Sequence, residues 1–229
     1  MARRGVICSA LALVLACAAG ASAQKMEPFK LGRATFYGKD GWSIHTGSCG
    51  YGYLDENAGT GWDVAASADT NRDHSGSCGT CKEVRCKEMW FKDGYGQKLE
   101  RETICYDPTA SVIVTITDTC PCHYPGNYYS NKRWCCGDMY HLDMSLWAFE
   151  KLADTKYGVI AIEWRNVPCT FRPAKVARNP FGKRSTGERA APSGWKATFD
   201  KRPFNKYSPG GSNAVLASAG RRLRGVDAL

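Results

Sequence analysis

The chain has 229 residues, 43% of them hydrophobic and 23% charged, with a formal net charge of +9. That length holds one ordinary domain with extra chain, or two small ones, and the composition is globular rather than collagenous or wholly disordered. Its one long apolar run lies at the extreme N-terminus, which excludes a protein of several membrane spans.

Residues 1–23 read as a secretory signal. Arg3 and Arg4 supply the positive start, and Val6 to Gly20 an apolar stretch shorter than the ~20 residues of a membrane span. Ala21-Ser22-Ala23 is a cleavage pattern, so the mature chain is expected to begin at Gln24. Of the 12 cysteines, Cys8 and Cys17 leave with the signal. Cys49, Cys78, Cys81, Cys86, Cys105, Cys120, Cys122, Cys135, Cys136 and Cys169 remain, an even set that predicts a disulfide framework in an oxidising compartment. Their spacing alone leaves the pairing open.

Next come the strands. Arg33 to Tyr37 is a short strand whose Thr35 and Tyr37 share one face. Lys82 to Cys86 is another. Ser111 to Thr117 is β-branched and apolar almost throughout, as a buried strand is, and Asp118 follows where that strand emerges toward solvent. Lys92-Asp93-Gly94 and Pro125-Gly126-Asn127 are turns. Ser145 is an N-cap for a helix with Leu146, Phe149 and Leu152 on one face, and Gly158 to Trp164 is the last strand. Short strands, one clear helix and many bridges predict a small, mostly-β barrel.

From Thr170 to Leu229 there are 13 Lys+Arg against 3 Asp+Glu, and only 10 of the 60 residues are Leu, Ile, Val or Phe. Low apolar content with like charge predicts a disordered basic tail over 170–229. Such a tail attracts polyanions, and a secreted protein is expected to meet acidic polysaccharide rather than nucleic acid.

Among chemistry-bearing residues, Asp143 lies just before the helix, either as a cap or as a carboxylate on a groove rim. Asp118 is either an exposed turn residue or a partner of Asp143. No P-loop, H-E-x-x-H or G-x-S-x-G motif occurs, and no cofactor is called for. Cys120-Pro121-Cys122-His123 with Cys135-Cys136 has ligand types that zinc accepts, but bridges are the expectation and no metal is assigned. His45, His74 and His141 are scattered, and each is read as a surface or hydrogen-bonded residue.

Read together, Arg33-Ala-Thr-Phe-Tyr-Gly38, Gly47-Ser-Cys-Gly-Tyr-Gly52 and Ser77-Cys-Gly-Thr-Cys-Lys-Glu-Val-Arg-Cys86 resemble the N-terminal domain of expansins. Val114-Thr-Ile-Thr-Asp-Thr-Cys-Pro121, His141-Leu-Asp-Met-Ser145 and Arg165-Asn-Val-Pro-Cys169 continue the resemblance in order. It implies a six-stranded double-psi β-barrel with one or two short helices over residues 31–169, related to family-45 endoglucanases and barwin-like domains. By the same match Cys49 pairs with Cys78, Cys81 with Cys169 and Cys86 with Cys105, leaving two bridges among Cys120, Cys122, Cys135 and Cys136.

The resemblance also implies a groove lined by Thr35, Tyr37, Asp118 and Asp143, with Trp42 and Tyr51 stacking on sugar rings. Asp143 matches the general acid of family-45 enzymes. Direct register puts Lys39 at the position of their base, and a cation cannot serve; Asp40 is one residue away. The expected function is therefore that of a secreted, monomeric protein that binds wall polysaccharide, a glucan or an acidic matrix polymer, and loosens it without hydrolysis. The alternatives are a family-45-like endoglucanase and a barwin-like binding or signalling protein. Two departures stand out: Cys120 to Cys136 forms an extra stapled loop, and 60 residues are too few for the β-sandwich domain of expansins, which needs about 100.

Overall fold

The computed structural model describes residues 26–182. The expected signal and most of the expected tail therefore lie outside the described residues. Among those described, no helix is long and apolar enough to cross a membrane.

Eight strands follow one another: β1 (Lys30–Tyr37), β2 (Val64–Ala68), β3 (Cys81–Lys87), β4 (Phe91–Lys92), β5 (Lys98–Leu99), β6 (Ser111–Cys120), β7 (His141–Ser145) and β8 (Ile160–Val167). Six of them close into a barrel in the order β1-β7-β2-β6-β3-β8, while β4 and β5 form a small hairpin. Exchanging β1, β2 and β3 for β6, β7 and β8 leaves every pairing and its direction unchanged. The parallel pair β1–β7 maps onto the parallel pair β2–β6, and antiparallel β1–β8 onto antiparallel β3–β6. This internal two-fold is the double-psi arrangement, and closure leaves the barrel no free edge.

Alternation along each strand sends one set of side chains inward. Ala34, Ala65, Val84, Val114, Leu142 and Ile162 are fully buried there and fill the barrel, as a six-stranded interior requires. The opposite set on β1 and β7, Arg33, Thr35 and Tyr37 beside His141, Asp143 and Ser145, lies on the outer face in direct register. Helix α2 (Leu146–Phe149) begins where predicted: the Ala148 N–H donates to Ser145 Oγ at 3.2 Å, and Phe149 and Leu152 close one end of the core.

The three bridges implied by the resemblance are present, Cys49–Cys78, Cys81–Cys169 and Cys86–Cys105. The remaining four cysteines pair as Cys120–Cys135 and Cys122–Cys136. Together they staple a lobe that carries helix α1 (Tyr128–Trp134).

The chain does not leave the barrel at Cys169, which corrects the expected start of the tail. The Ser111 N–H donates to the Lys175 carbonyl at 2.9 Å, and the Ala177 N–H donates to the Ser111 carbonyl at 2.8 Å. Ala177 is buried in the main core, Lys175 pairs with Asp107 at 2.5 Å, and Phe181 meets the Tyr106 ring. Ser111 opens β6 with backbone groups that need partners, and this short segment supplies them. Composition averaged over 60 residues hides so short an ordered stretch.

Candidate functional site

The site starts from a bulge. Between β2 and β6 the register runs Ala65 with Ile116 and then Ala66 with Asp118, so Thr117 is the extra residue. The bulge turns Asp118 to the outer face beside Ala66. Ala66 also pairs with Asp143 on β7, and Asp143 with Thr35 on β1. Paired residues of neighbouring strands face the same side, so Thr35, Asp143, Ala66 and Asp118 form one row across four strands. Two strand spacings separate the backbones of Asp118 and Asp143, roughly 10 Å.

Two walls flank this row. On one side the loop of residues 38–62 packs Tyr37 and Tyr51 against Ile44, Leu54, Trp62, Val64, Leu146 and Trp147. On the other the stapled lobe lays Trp134 and the Cys120–Cys135 bridge on Ala66 and Ala68. Along β1 and β7 the pair Arg33 and His141 is fully buried, and so is Ser145 at the far end; Thr35 and Asp143 between them are only half-buried. The groove opens there.

Both carboxyl groups are pushed upward. Burial raises Asp143 to about 7; the Thr35 hydroxyl, donating to its Oδ1 at 2.8 Å, opposes this, and the charge of Asp118 adds to it. Burial also raises Asp118, against two backbone donors, Ser48 N–H and Thr119 N–H, each at 2.7 Å from Oδ1. Burial, then the charges of Asp118 and Asp143, hold the Tyr37 phenol well above its ordinary range. The Tyr37 and Thr117 hydroxyls are buried beside each other, and beyond that mutual contact neither finds a partner among the described residues. Such groups are what a polyhydroxylated ligand or ordered water satisfies.

Residues around Gly47 hold Asp118 in place. A Cβ at Gly47 would sit 2.4 Å from the Thr117 carbonyl oxygen, so only glycine lets this loop press on the bulge. The Cys49 N–H donates to that same carbonyl at 3.2 Å, and Cys49–Cys78 pins the loop.

The sequence candidates divide accordingly. The structure brings Thr35, Tyr37, Asp118 and Asp143 together. Asp143 does not cap the helix, since Ser145 does that and Asp143 is a mid-strand residue of β7. Tyr51 packs in the loop's apolar cluster, while Trp42 sits by His45 at 5.3 Å and Tyr53 at 6.4 Å between ring centroids. Asp40 accepts from Trp42 N–H, Ser43 N–H and Ser43 Oγ at 2.9–3.1 Å, capping the 3-10 turn Ser43–Thr46. Its slight burial would raise its pKa, but those bonds outweigh that and lower it.

The lobe does two things. Trp134 covers the barrel over the Arg33 guanidinium, which is doubly bonded to Asp138 at 2.6 Å, while Tyr124, Tyr128 and Tyr129 face solvent. His141 lies with the sulfurs of Cys120 and Cys135 within 4.8 Å, but those sulfurs are joined and offer no metal-binding thiolate. All three internal histidines are hydrogen-bonded: His45 to the Leu54 N–H, His74 to Thr119 Oγ1 and His141 to Thr35 Oγ1. Ser48, Thr117 and His141 were not foreseen as site residues. His141 was within reach, because it precedes Asp143 by two residues on one strand and so shares its face.

Residues 64–164 match a family model described as lytic transglycolase. Expansin-A32 of Oryza sativa subsp. japonica is 34% identical over 143 residues, 62% of this chain and 48% of that protein. Among solved structures, a Clavibacter michiganensis expansin mutant in complex with cellohexaose is 22% identical with a TM-score of 0.38, covering 62% of this chain and 51% of its own. The GH45 endoglucanase EG27II in complex with cellobiose is 20% identical with a TM-score of 0.40, covering 62% and 82%. The chain thus spans about half the length of the curated relatives it matches. By its matched model, its relatives and its closed barrel, the described part of the chain is a six-stranded double-psi barrel that is similar to part of the expansins.

Proposed function

We propose that this is a secreted cell-wall protein whose groove binds a wall glucan and loosens it without cutting the chain. The observation that carries the reading is the open row Thr35–Asp143–Ala66–Asp118 between two stapled walls, with Asp143 held at about 7. At mildly acidic pH Asp143 is a neutral acid that donates a hydrogen bond to a sugar oxygen, and Tyr37 and Thr117 offer hydroxyls beside it. Exchanging hydrogen bonds between polymer chains for bonds to the protein separates the chains and needs no catalytic base.

Five bridges support passage through an oxidising compartment, and residues 1–23 carry the expected export signal. The basic stretch that begins after the barrel favours retention on an acidic matrix polymer. We take the protein to act as a monomer that binds no nucleic acid.

Hydrolysis is the second reading, and one observation favours it. Asp118 and Asp143 face one groove with backbones roughly 10 Å apart, a span compatible with the 6.5–9.5 Å between the carboxyl groups of inverting glycosidases. Asp40, bound up as a turn cap, is no longer the favoured base. Reducing-sugar release from soluble and crystalline glucans separates the two readings. Binding with no new reducing ends supports the proposal; release that disappears in both Asp118→Asn and Asp143→Asn establishes hydrolysis. A protein that binds no glucan at all points to the barwin-like role.

A further inference from the structure

We infer that His141 is a positioning residue of this groove, fixing the Thr35 hydroxyl so that its proton is always given to Asp143 Oδ1 and the acid proton of Asp143 is left on Oδ2. The inference builds on the groove reading for its use, but its test does not depend on that reading.

The geometry is a chain of three groups. His141 Nε2 lies 3.1 Å from Thr35 Oγ1, and Thr35 Oγ1 lies 2.8 Å from Asp143 Oδ1. A threonine hydroxyl carries one proton. If His141 holds its own proton on Nε2 and gives it to Oγ1, the hydroxyl proton has to point to Asp143. If the imidazole proton sits on Nδ1 instead, the hydroxyl is free to turn toward the bare Nε2, and Asp143 loses its donor.

The surroundings choose between these arrangements. His141 is fully buried, and its Nδ1 meets no hydrogen-bond partner in the described structure. A bare buried acceptor is less costly than a bare buried N–H, which favours the proton on Nε2. The ring is also held in place. Asn71 clamps the His141 backbone from both sides, with Nδ2 donating to its carbonyl at 2.8 Å and its N–H donating to Oδ1 at 3.1 Å. The Cys120–Cys135 bridge packs beside the ring. Burial, and then the charge of Arg33 on β1, outweigh the opposing pull of the Arg33 backbone and hold the imidazole well below its ordinary range, so a cationic form does not intervene.

On the groove side Asp143 faces Asp118 from β6 and Tyr37 from β1. With Oδ1 already accepting from Thr35, protonation falls on the other oxygen. A neutral Asp143 then keeps its acid proton for a ligand instead of spending it on Thr35.

The test is a pH titration of the secreted protein by NMR. Long-range ¹H–¹⁵N correlation of the His141 ring is expected to show the Nε2–H tautomer, neutral throughout, with a shift that follows the midpoint of the Asp143 carboxyl carbon. The Nδ1–H tautomer above that midpoint would overturn the inference, and this reading needs no variant. In a second arm, His141→Leu removes the only other partner of the Thr35 hydroxyl among the described residues and leaves its proton to Asp143. If native Thr35 already gives its proton to Asp143, the Asp143 midpoint stays close to the native value in this variant. A midpoint lower by roughly half a pH unit or more would show that native Thr35 had been donating to His141, and would overturn the inference. Failure of Asp143→Asn to alter wall loosening would instead sink the groove reading and leave the tautomer result standing.

Discussion

Replacing Asp143 by asparagine should stabilise the protein by an amount that grows as pH rises from about 4 to about 7. Burial raises the Asp143 carboxyl from 3.8 to about 7, so the folded state holds a proton that the unfolded chain has already lost between those values. Native stability therefore declines as pH rises through this window, and the penalty is complete above about 7. A shift of that size corresponds to about 4 kcal/mol at 1.36 kcal/mol per unit, and on the order of 2 kcal/mol once the half-buried position and solvent screening are allowed for. Asparagine has the same shape, still accepts from Thr35, and carries no charge. Urea unfolding of both proteins with their bridges intact, at pH steps from 4 to 8, measures the difference. The two curves should agree near pH 4 and diverge by about 2 kcal/mol or more at pH 8, with Asp143→Asn the more stable. A constant difference across the range would show that Asp143 is not titrating from a buried site.

Thr35→Val removes the one side-chain donor to Asp143 among the described residues and should raise its titration midpoint by roughly one unit, read from its carboxyl carbon. Gly47→Ala drives a Cβ into the Thr117 carbonyl and should cost about 1–3 kcal/mol in denaturant unfolding while weakening glucan binding through displaced Asp118. A chain ended after Cys169 should melt below one ended after Gly182, by the equivalent of about 1–3 kcal/mol, because it loses Ala177 and both Ser111 hydrogen bonds; equal melting would mean that this segment adds nothing.

The barrel was largely legible because its strands carry local signals. The β-branched run of β6 and the Ser145 cap announce themselves, while the topology and three bridges came only from the family resemblance. What stayed hidden depends on contacts distant in sequence. The Thr117 bulge, which turns Asp118 outward, exists only against β2 and the Gly47 loop. The pairing of Cys120 with Cys135 rather than Cys136 is set by how the lobe sits on Ala66 and Ala68. Asp143 was ambiguous between cap and groove because its position one residue before Met144-Ser145 fits either, and only the pairing with Thr35 and Ala66 decides. The stretch after Cys169 was misplaced because its two anchoring hydrogen bonds are backbone groups, which composition does not register.

Extension of an acid-treated wall strip under constant load, with reducing ends counted in the bathing solution, tests the central claim most directly. Native protein should speed the extension at mildly acidic pH without releasing reducing ends, and folded Asp143→Asn should not speed it. Extension by Asp143→Asn equal to that of the native protein, or extension that tracks the release of reducing ends, would contradict loosening by an uncharged groove acid.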